Sequence, residues 1–323
     1  NRPQDIDVLL NSFLTLVSEL DFGIVIVEDG SEVTSEKIVA KYRESLNINY
    51  FFKANTGPGN SRNYGMNKAK GNYFIILDSD CILPSHYLTE VRNSLKREFV
   101  DCFGGPDTCL DSFTPLQKAI DFAMTSWIST GGIRGGKIGR HQFQPRSFNM
   151  GISKVAFEAS GGFGNIHPGE DPDLSMRLWK LGFRTRLIQL AFVFHKRRIS
   201  WSKFYHQVYK FGLVRPILNT WHPGTSKLTY WFPSVFSFGF LLAFILLFFD
   251  ISLLLWFYIL YFGMAFIVAL WRSRDLYVAV MSIYAILVQF MGYGYGFLKS
   301  TLAIGILKRN PKVTYPFLFF DQV

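Results

Sequence analysis

The sequence predicts an α/β domain with a mostly parallel sheet, helices on both of its faces, and apolar transmembrane helices after it. Three observations carry that expectation. Strand-like and helix-like segments alternate up to about Trp221, which implies a mostly parallel, covered sheet. The run Tyr73-Phe74-Ile75-Ile76-Leu77-Asp78-Ser79-Asp80 is apolar, β-branched and aromatic like a covered core strand, and it ends in two carboxylates one residue apart. After Trp231 the chain is almost continuously apolar, in segments able to cross a bilayer core of roughly 30 Å.

The elements follow in order. Residues 5–20 place Ile6, Leu9, Leu10, Phe13, Val17 and Leu20 at helical spacing. Residues 23–27 read as a strand running into Glu28-Asp29-Gly30, 32–45 as a polar helix, and 48–52 as a strand. A helix over 60–70 leads into the strand that ends at Asp78; a helix over 85–99 and a strand over 101–105 come next. Residues 130–147 are Gly-rich, basic and without a period, as in a mobile loop. Segments 153–160 and 171–181 and a strand over 185–190 complete a domain spanning 1–199, without internal repeats.

Residues 200–230 form a connecting region. Trp201, Phe204, Tyr205 and Val208 share one helical face, with Lys203, His206 and Lys210 around it. That pattern suits a helix in the membrane interface or one packed on the domain. The membrane region is expected over 231–307, with spans at 231–249 and 251–271. A third apolar segment, 276–306, is interrupted by Gln289 and the glycines 292, 294 and 296, which would let it bend as a re-entrant or interfacial segment. A polar and aromatic tail, 308–323, follows.

The chain has 323 residues, 49% hydrophobic and 17% aromatic, with a net charge of +10. Such a basic excess fits attraction to anionic lipid. Nucleic acid is not expected as a partner, because neither zinc-finger spacing nor an RNA-binding aromatic motif accompanies the charge. Cys81, Cys102 and Cys109 form no Cys-x-x-Cys pair and read as buried thiols of a reduced compartment. No signal peptide opens the sequence, which starts at Asn1-Arg2-Pro3 without an initiator Met.

In open α/β sheets, ligands bind outside the carboxyl ends of the strands. Asp29 ends one strand, Asp78 and Asp80 end another, and Glu170 with Asp171 opens a helix, so the three acidic sites are expected to converge at the carboxyl edge of one sheet. The Asp-x-Asp pair can give oxygens to Mg²⁺ or Mn²⁺, which can hold a diphosphate; the alternative is a polar turn. Asp171 is open to two readings, a general base or a plain N-cap before Pro172. Asp173 and Arg177 look like an ordinary helix pair. Arg134, Arg140 and Arg146 either clamp phosphate or decorate a solvated loop.

Several motifs stand in order: Val27-Glu28-Asp29-Gly30-Ser31, Asn55-x-Gly57, Ser61-Arg62-Asn63, Leu77-Asp78-Ser79-Asp80, Asn149-Met150-Gly151, Gly161-Gly162-Phe163 and Gly169-Glu170-Asp171-Pro172-Asp173-Leu174 with Arg177. In this set the chain resembles the family 2 glycosyltransferases of GT-A fold over roughly residues 1–215, of a membrane-anchored bacterial type. Asn1-Arg2-Pro3 matches the tail of the family's first-strand motif, so the first strand is expected to be missing. The resemblance implies an inverting, metal-dependent transfer from a nucleotide sugar, a UDP-sugar being the expected donor, to a glycan or lipid-linked acceptor. It implies a multi-pass protein of the bacterial inner membrane with a cytoplasmic catalytic domain, acting in cell-envelope or surface-polysaccharide synthesis.

By the same resemblance, Asp29 recognises base or ribose, and Arg62 and Asn63 line the nucleotide pocket. Asp80 is the metal ligand, with Asp78 on ribose or metal. Asp171 is the base and Glu170 its support. A histidine near His195 helps bind metal or diphosphate in relatives, though a structural His is the alternative. Arg146, Asn149, Arg198 and Gln207 are candidate acceptor or phosphate contacts. Processive synthases carry Gln-x-x-Arg-Trp where this chain reads Gln207-Val208-Tyr209-Lys210-Phe211, so transfer of a single sugar is expected. A processive synthase and a catalytically dead nucleotide-sugar-binding protein are the alternatives; a nucleotidyltransferase is disfavoured by the Glu-Asp helix start.

Overall fold

Apolar segments flanked by turn residues become the strands of the first half of the chain. The computed structural model describes residues 1–17, 21–108, 113–131, 143–195 and 200–320. After α1 (Pro3–Leu14), β1 (Ile24–Asp29) pairs in parallel with β2 (Ile48–Lys53), in a register running from Ile24 opposite Ile48 to Asp29 opposite Lys53. Between them lies α2 (Glu36–Ala40), and α3 (Pro58–Lys68) follows with Pro58 in its first turn, where a missing N–H costs nothing. Then come β3 (Tyr73–Leu77), β4 (Cys81–Ile82), α4 (Tyr87–Arg97), β5 (Cys102–Gly104), β6 (Asp107–Thr108), α5 (Pro115–Thr125) and α6 (Trp127–Thr130). Next are β7 (Asn149–Ser153), α7 (Lys154–Ser160), α8 (Glu170–Lys180), β8 (Thr185–Leu187) and β9 (Val193–His195).

The sheets are mixed. One has the order β3-β7-β5-β8 and another β4-β9-β6. β7 runs antiparallel to both β3 and β5, whereas β8 is parallel to β5 and β6 parallel to β9. The α/β class is as expected; the departure from a mostly parallel pattern comes from β7, whose Asn-Met-Gly reads as a motif and not as a strand. Fully buried Met150 and Ile152 of β7 pack with Phe74, Ile76, Leu174 and Leu178, the last two on α8, in one core.

The chain divides into two compact units, and the division is not a single boundary. Unit 1 comprises Asn1–Leu110, Lys137–Lys196 and Phe319–Val323; unit 2 comprises Asp111–Gly136 and Arg197–Leu318. Unit 2 therefore claims α5 and α6 from the middle of the expected 1–199 domain. The reason is apolar burial: Ala119, Ile120, Phe122, Ala123 and Met124 of α5 enter one core with residues of the later helices.

Those helices are α9 (Trp201–Trp221), α10 (Phe232–Leu247), α11 (Leu253–Ser273), α12 (Leu276–Ser300) and the short α13 (Pro311–Thr314). α9 fills most of the expected 200–230 connecting region as one helix and continues through Pro216. Among the described residues, three helical stretches are long and apolar enough to cross a membrane: Leu228–Leu247, Leu253–Ser273 and Leu276–Ile306. The third is the most enclosed by protein, 39% of its apolar window being buried against 17% and 11% for the others. The bend expected at glycines 292, 294 and 296 is absent, since α12 runs unbroken through them and on into a π-helical stretch at Thr301–Ile306. They serve close approach instead: an added Cβ would lie 2.7 Å from Val208 Cγ2 at Gly292, 2.8 Å from the Pro233 carbonyl at Gly294 and 2.4 Å from the Tyr209 carbonyl at Gly296.

Candidate active site

The β1 strand delivers Asp29 to its carboxyl end, where the carboxylate organises the loop after β2. Thr56 N–H donates to Asp29 Oδ1 at 2.9 Å and Gly57 N–H to Oδ2 at 3.0 Å. Lys53 also donates to Asp29 Oδ1. Sequence reasoning missed Lys53, although it stands directly opposite Asp29 in the parallel ladder. Glu28, the other acid at this strand end, is buried and accepts from Ser35 N–H at 2.9 Å and from Tyr50 Oη at 3.2 Å, a structural task.

Arg62, on α3, joins two of the acidic positions. Its Nη2 donates to Asp78 Oδ1 at 2.8 Å and its Nη1 to Glu170 Oε1 at 3.0 Å. Its guanidinium also faces the Phe163 ring, 5.5 Å from the centroid. Asn63 spends its side chain on the neighbouring backbone: Nδ2 donates to Phe163 O at 2.9 Å, and Phe163 N–H donates to Oδ1 at 2.8 Å. This two-way clamp fixes the loop before α8.

α8 starts at Glu170 with Gly169 as its N-cap, so Asp171 sits one position inside the helix and is not the cap. Glu170 is almost fully buried; His167 Nδ1 lies 2.9 Å from its Oε1. Burial alone would raise the Glu170 pKa, but the bond to His167 and the charge of Arg62 outweigh it and hold the group low. Asp171 moves the other way: burial and the adjacent Glu170 charge push it up, against opposing pulls from Arg62 and Arg146. Its Oδ1 is buried and has no hydrogen-bond partner. His167, three residues before Glu170, was a readable partner that sequence reasoning did not single out. The charge of Arg146 acts on Asp171, pulling its pKa down against the burial. Asp173 and Arg177 form the expected helix pair, at 2.8 Å.

Asp80 and His195 meet although they lie far apart in sequence. His195 Nε2 is 3.1 Å from Asp80 Oδ1, and its ring stacks on Phe148 at 4.8 Å between centroids. Arg2 donates to Asp80 Oδ2 at 2.8 Å. Burial would raise Asp80, but His195 and Arg2 prevail and bring it down to about 2, so the carboxylate is ionised. Ligand atoms of Asp80, Cys81 and His195 lie within 4.8 Å of one another. A carboxylate and an imidazole suit Mn²⁺ or Mg²⁺. Cys81 does not suit a hard ion, since burial first, then Asp78 and Asp80, raises its thiol well above the ordinary value. Asp78 stands outside this cluster, held by Arg62. Asp107, unforeseen from sequence, places Oδ2 3.9 Å from His195 Nδ1.

One expected contact is overturned. Asn149 is fully buried; it accepts from Tyr87 Oη at 2.6 Å and donates to Ala191 O at 2.8 Å. Its amide stitches β7 into the core and is not free for acceptor or phosphate. Gln207 lies on α9 in unit 2, with Oε1 buried and unpaired. Arg134, Arg140, Arg198 and Cys109 lie outside the described residues; Cys81 and Cys102 are free, buried thiols.

Comparison with known proteins bears on the family and the fold. A family model described as glycosyl transferase family 2 matches residues 1–160. An uncharacterised glycosyltransferase of Mycoplasma genitalium is 34% identical over 89 residues, 26% of this chain and 30% of that one. Another, of Rickettsia bellii, is 32% identical over 77 residues, 24% of this chain; the match spans 10% of that relative's length. A mannosyltransferase from Pyrobaculum calidifontis, solved with GDP-Man and Mn²⁺, superposes with a TM-score of 0.53 at 13% identity, covering 98% of this chain and 81% of that one. At that identity the likeness shows the fold, the GT-A fold.

Proposed function

Residues 1–160 belong to glycosyltransferase family 2, and from that premise we propose that the chain transfers one sugar from a nucleotide sugar to a glycan or lipid-linked acceptor, with inversion. The observation that carries this is the Arg62 bridge from Asp78 to Glu170, beside an Asp171 whose free oxygen is buried and whose pKa is raised. Asp29, with the Thr56–Gly57 loop, would take the base or ribose, and Arg62 would support the nucleotide through Asp78.

Asp171 Oδ1 receives the acceptor hydroxyl proton as the acceptor oxygen bonds to the anomeric carbon. The bond from that carbon to the diphosphate breaks, and the nucleoside diphosphate leaves with the electron pair. Glu170, kept ionised by Arg62 and His167, disfavours a second negative charge on Asp171 and so makes it a better base. Arg146 faces the developing charge. Asp80 and His195 would hold a divalent cation, which supplies charge neutralisation for the leaving diphosphate. The three apolar helices support action at a membrane, with the catalytic unit on the cytoplasmic, nucleotide-containing face of the inner membrane.

The test is a donor screen of UDP- and GDP-sugars with Mn²⁺, scored by nucleotide release. Release of nucleoside diphosphate without pyrophosphate, lost on chelation and in Asp80→Ala, is the expected result. Pyrophosphate release, or full activity after thorough chelation, contradicts the reading.

A further inference from the structure

Phe319 and Phe320 belong to unit 1, although the helices of unit 2 precede them in sequence. Phe319 pairs with Ile166 in an antiparallel bridge, and Phe320 N–H donates to the Asn165 carbonyl at 3.0 Å. The Phe320 ring lies against Gly57, where an added Cβ would stand 2.3 Å from the ring's Cγ. It also faces His167, with 6.3 Å between ring centroids, and closes a hollow lined by Thr56, Asn60, Asn63 and Gly164.

Two loops that matter for different steps meet at this ring. Loop 55–57 gives its Thr56 and Gly57 amides to Asp29. Segment 163–167 runs from the Asn63 clamp at Phe163 to the His167 contact with Glu170. Gly57 has φ +87° and no side chain, so it supplies both the backbone turn and a bare Cα for the ring to cover. The loop's polar bonds, the two amides to a partly exposed Asp29 and those of Lys53 to Ala54 O and Thr56 Oγ1, each exchange with water and contribute modestly; an aromatic face packed on Gly57 removes open alternatives that they leave.

We infer that Phe320 is a positioning residue: its ring holds loop 55–57 in the conformation that presents Asp29 to the nucleotide and registers it against the segment leading to Glu170 and Asp171. The inference rests on the donor role proposed for Asp29. Without the ring, donor binding must itself order the loop, and ordering one residue corresponds to about a tenfold weaker complex.

The experiment uses the full chain with Phe320→Ala and the ring-retaining Phe320→Tyr. Amide hydrogen exchange is followed at Thr56 and Gly57, and KM and kcat are measured with whichever of UDP-GlcNAc or GDP-mannose the wild type accepts. In Phe320→Ala, exchange at both amides speeds up and donor KM rises about tenfold, while kcat stays within about threefold. Phe320→Tyr restores both values, which a general loss of folding would not allow. Unchanged exchange in Phe320→Ala overturns the inference, as does a lower KM, which would make the ring a plug that competes with donor. Should the wild type use no nucleotide sugar, the donor reading fails, and the exchange rates still decide whether Phe320 holds the loop.

Discussion

Glu170 and Asp171 are neighbours in sequence, yet their surroundings drive their proton affinities apart, and the proposed mechanism uses the one as a fixed charge and the other as the base. Asp171→Asn keeps the shape and removes the basicity. Turnover is expected to fall by about 10² or more, with donor KM nearly unchanged. The wild-type rate should fall as pH drops through the raised Asp171 pKa, because the base works only when ionised, and that acid limb should lie above the ordinary aspartate range. Stability moves in the opposite sense. A group whose folded pKa is raised favours the native state less once ionised, so at neutral pH the neutral Asn should raise the thermal midpoint. A turnover loss below about tenfold, or a midpoint that drops, counts against the base. The position of this residue was legible in the Glu-Asp motif. Asn149 shows where such reading fails: a polar side chain in a motif looks alike whether it meets ligand or core, and only the fold reveals Tyr87, 62 positions away, bonded to it.

At the scale of elements, periodicity located most strands and helices because each carries its own apolar pattern. It could not locate what depends on a partner. The short α5 falls inside the expected 1–199 domain, in a stretch where no element is expected, and its apolar face belongs with α12. The glycines of α12 read as breakers, yet Gly292 and Gly296, four residues apart, turn one face to α9, while Gly294 turns the opposite face to α10. This makes a prediction with an internal control. Gly296→Ala drives a methyl into the Tyr209 carbonyl 2.4 Å away, where backbone must shift; overpacking of this kind costs about 1–3 kcal/mol. Gly263→Ala, on α11 with nothing within 4 Å, should be neutral or mildly stabilising. Thermal unfolding in detergent compares the two. Equal midpoints would show that α12 does not pack closely on α9.

For the whole molecule, connectivity limits how the apolar helices are threaded. Ile166 is bridged to Phe319, which follows the apolar helices in sequence, so we predict an even number of membrane crossings between them, although three helices are long and apolar enough to cross. α5 has 11 residues, about 16 Å of helix, against a bilayer core of roughly 30 Å, and unit 1 flanks its segment in sequence on both sides. It is too short to cross, so both of its ends are expected on one side of the membrane. Arg272, at the end of α11, donates to Thr125 Oγ1 at 3.1 Å and to Asp121 Oδ2 at 3.3 Å, both on α5, so α11 ends on that face too. On this prediction α10 leads out and α11 returns. α12 is then predicted to begin and end on the same face, and as an unbroken helix to lie along the interface instead of forming a re-entrant hairpin. Its packing against α9, which carries Lys203 and Lys210, agrees with that placement. Arg272, Arg274, Lys299, Lys308, Arg309 and Lys312 then share one side, as the positive-inside rule prefers. Single cysteines in intact cells test this with a membrane-impermeant thiol reagent. Phe249→Cys, in the connection from α10 to α11, should be labelled from outside, whereas Lys312→Cys should react only after the membrane is opened. Labelling of Lys312→Cys from outside would mean three crossings, and the contact of Phe320 with Asn165 could not then form in the membrane-inserted protein.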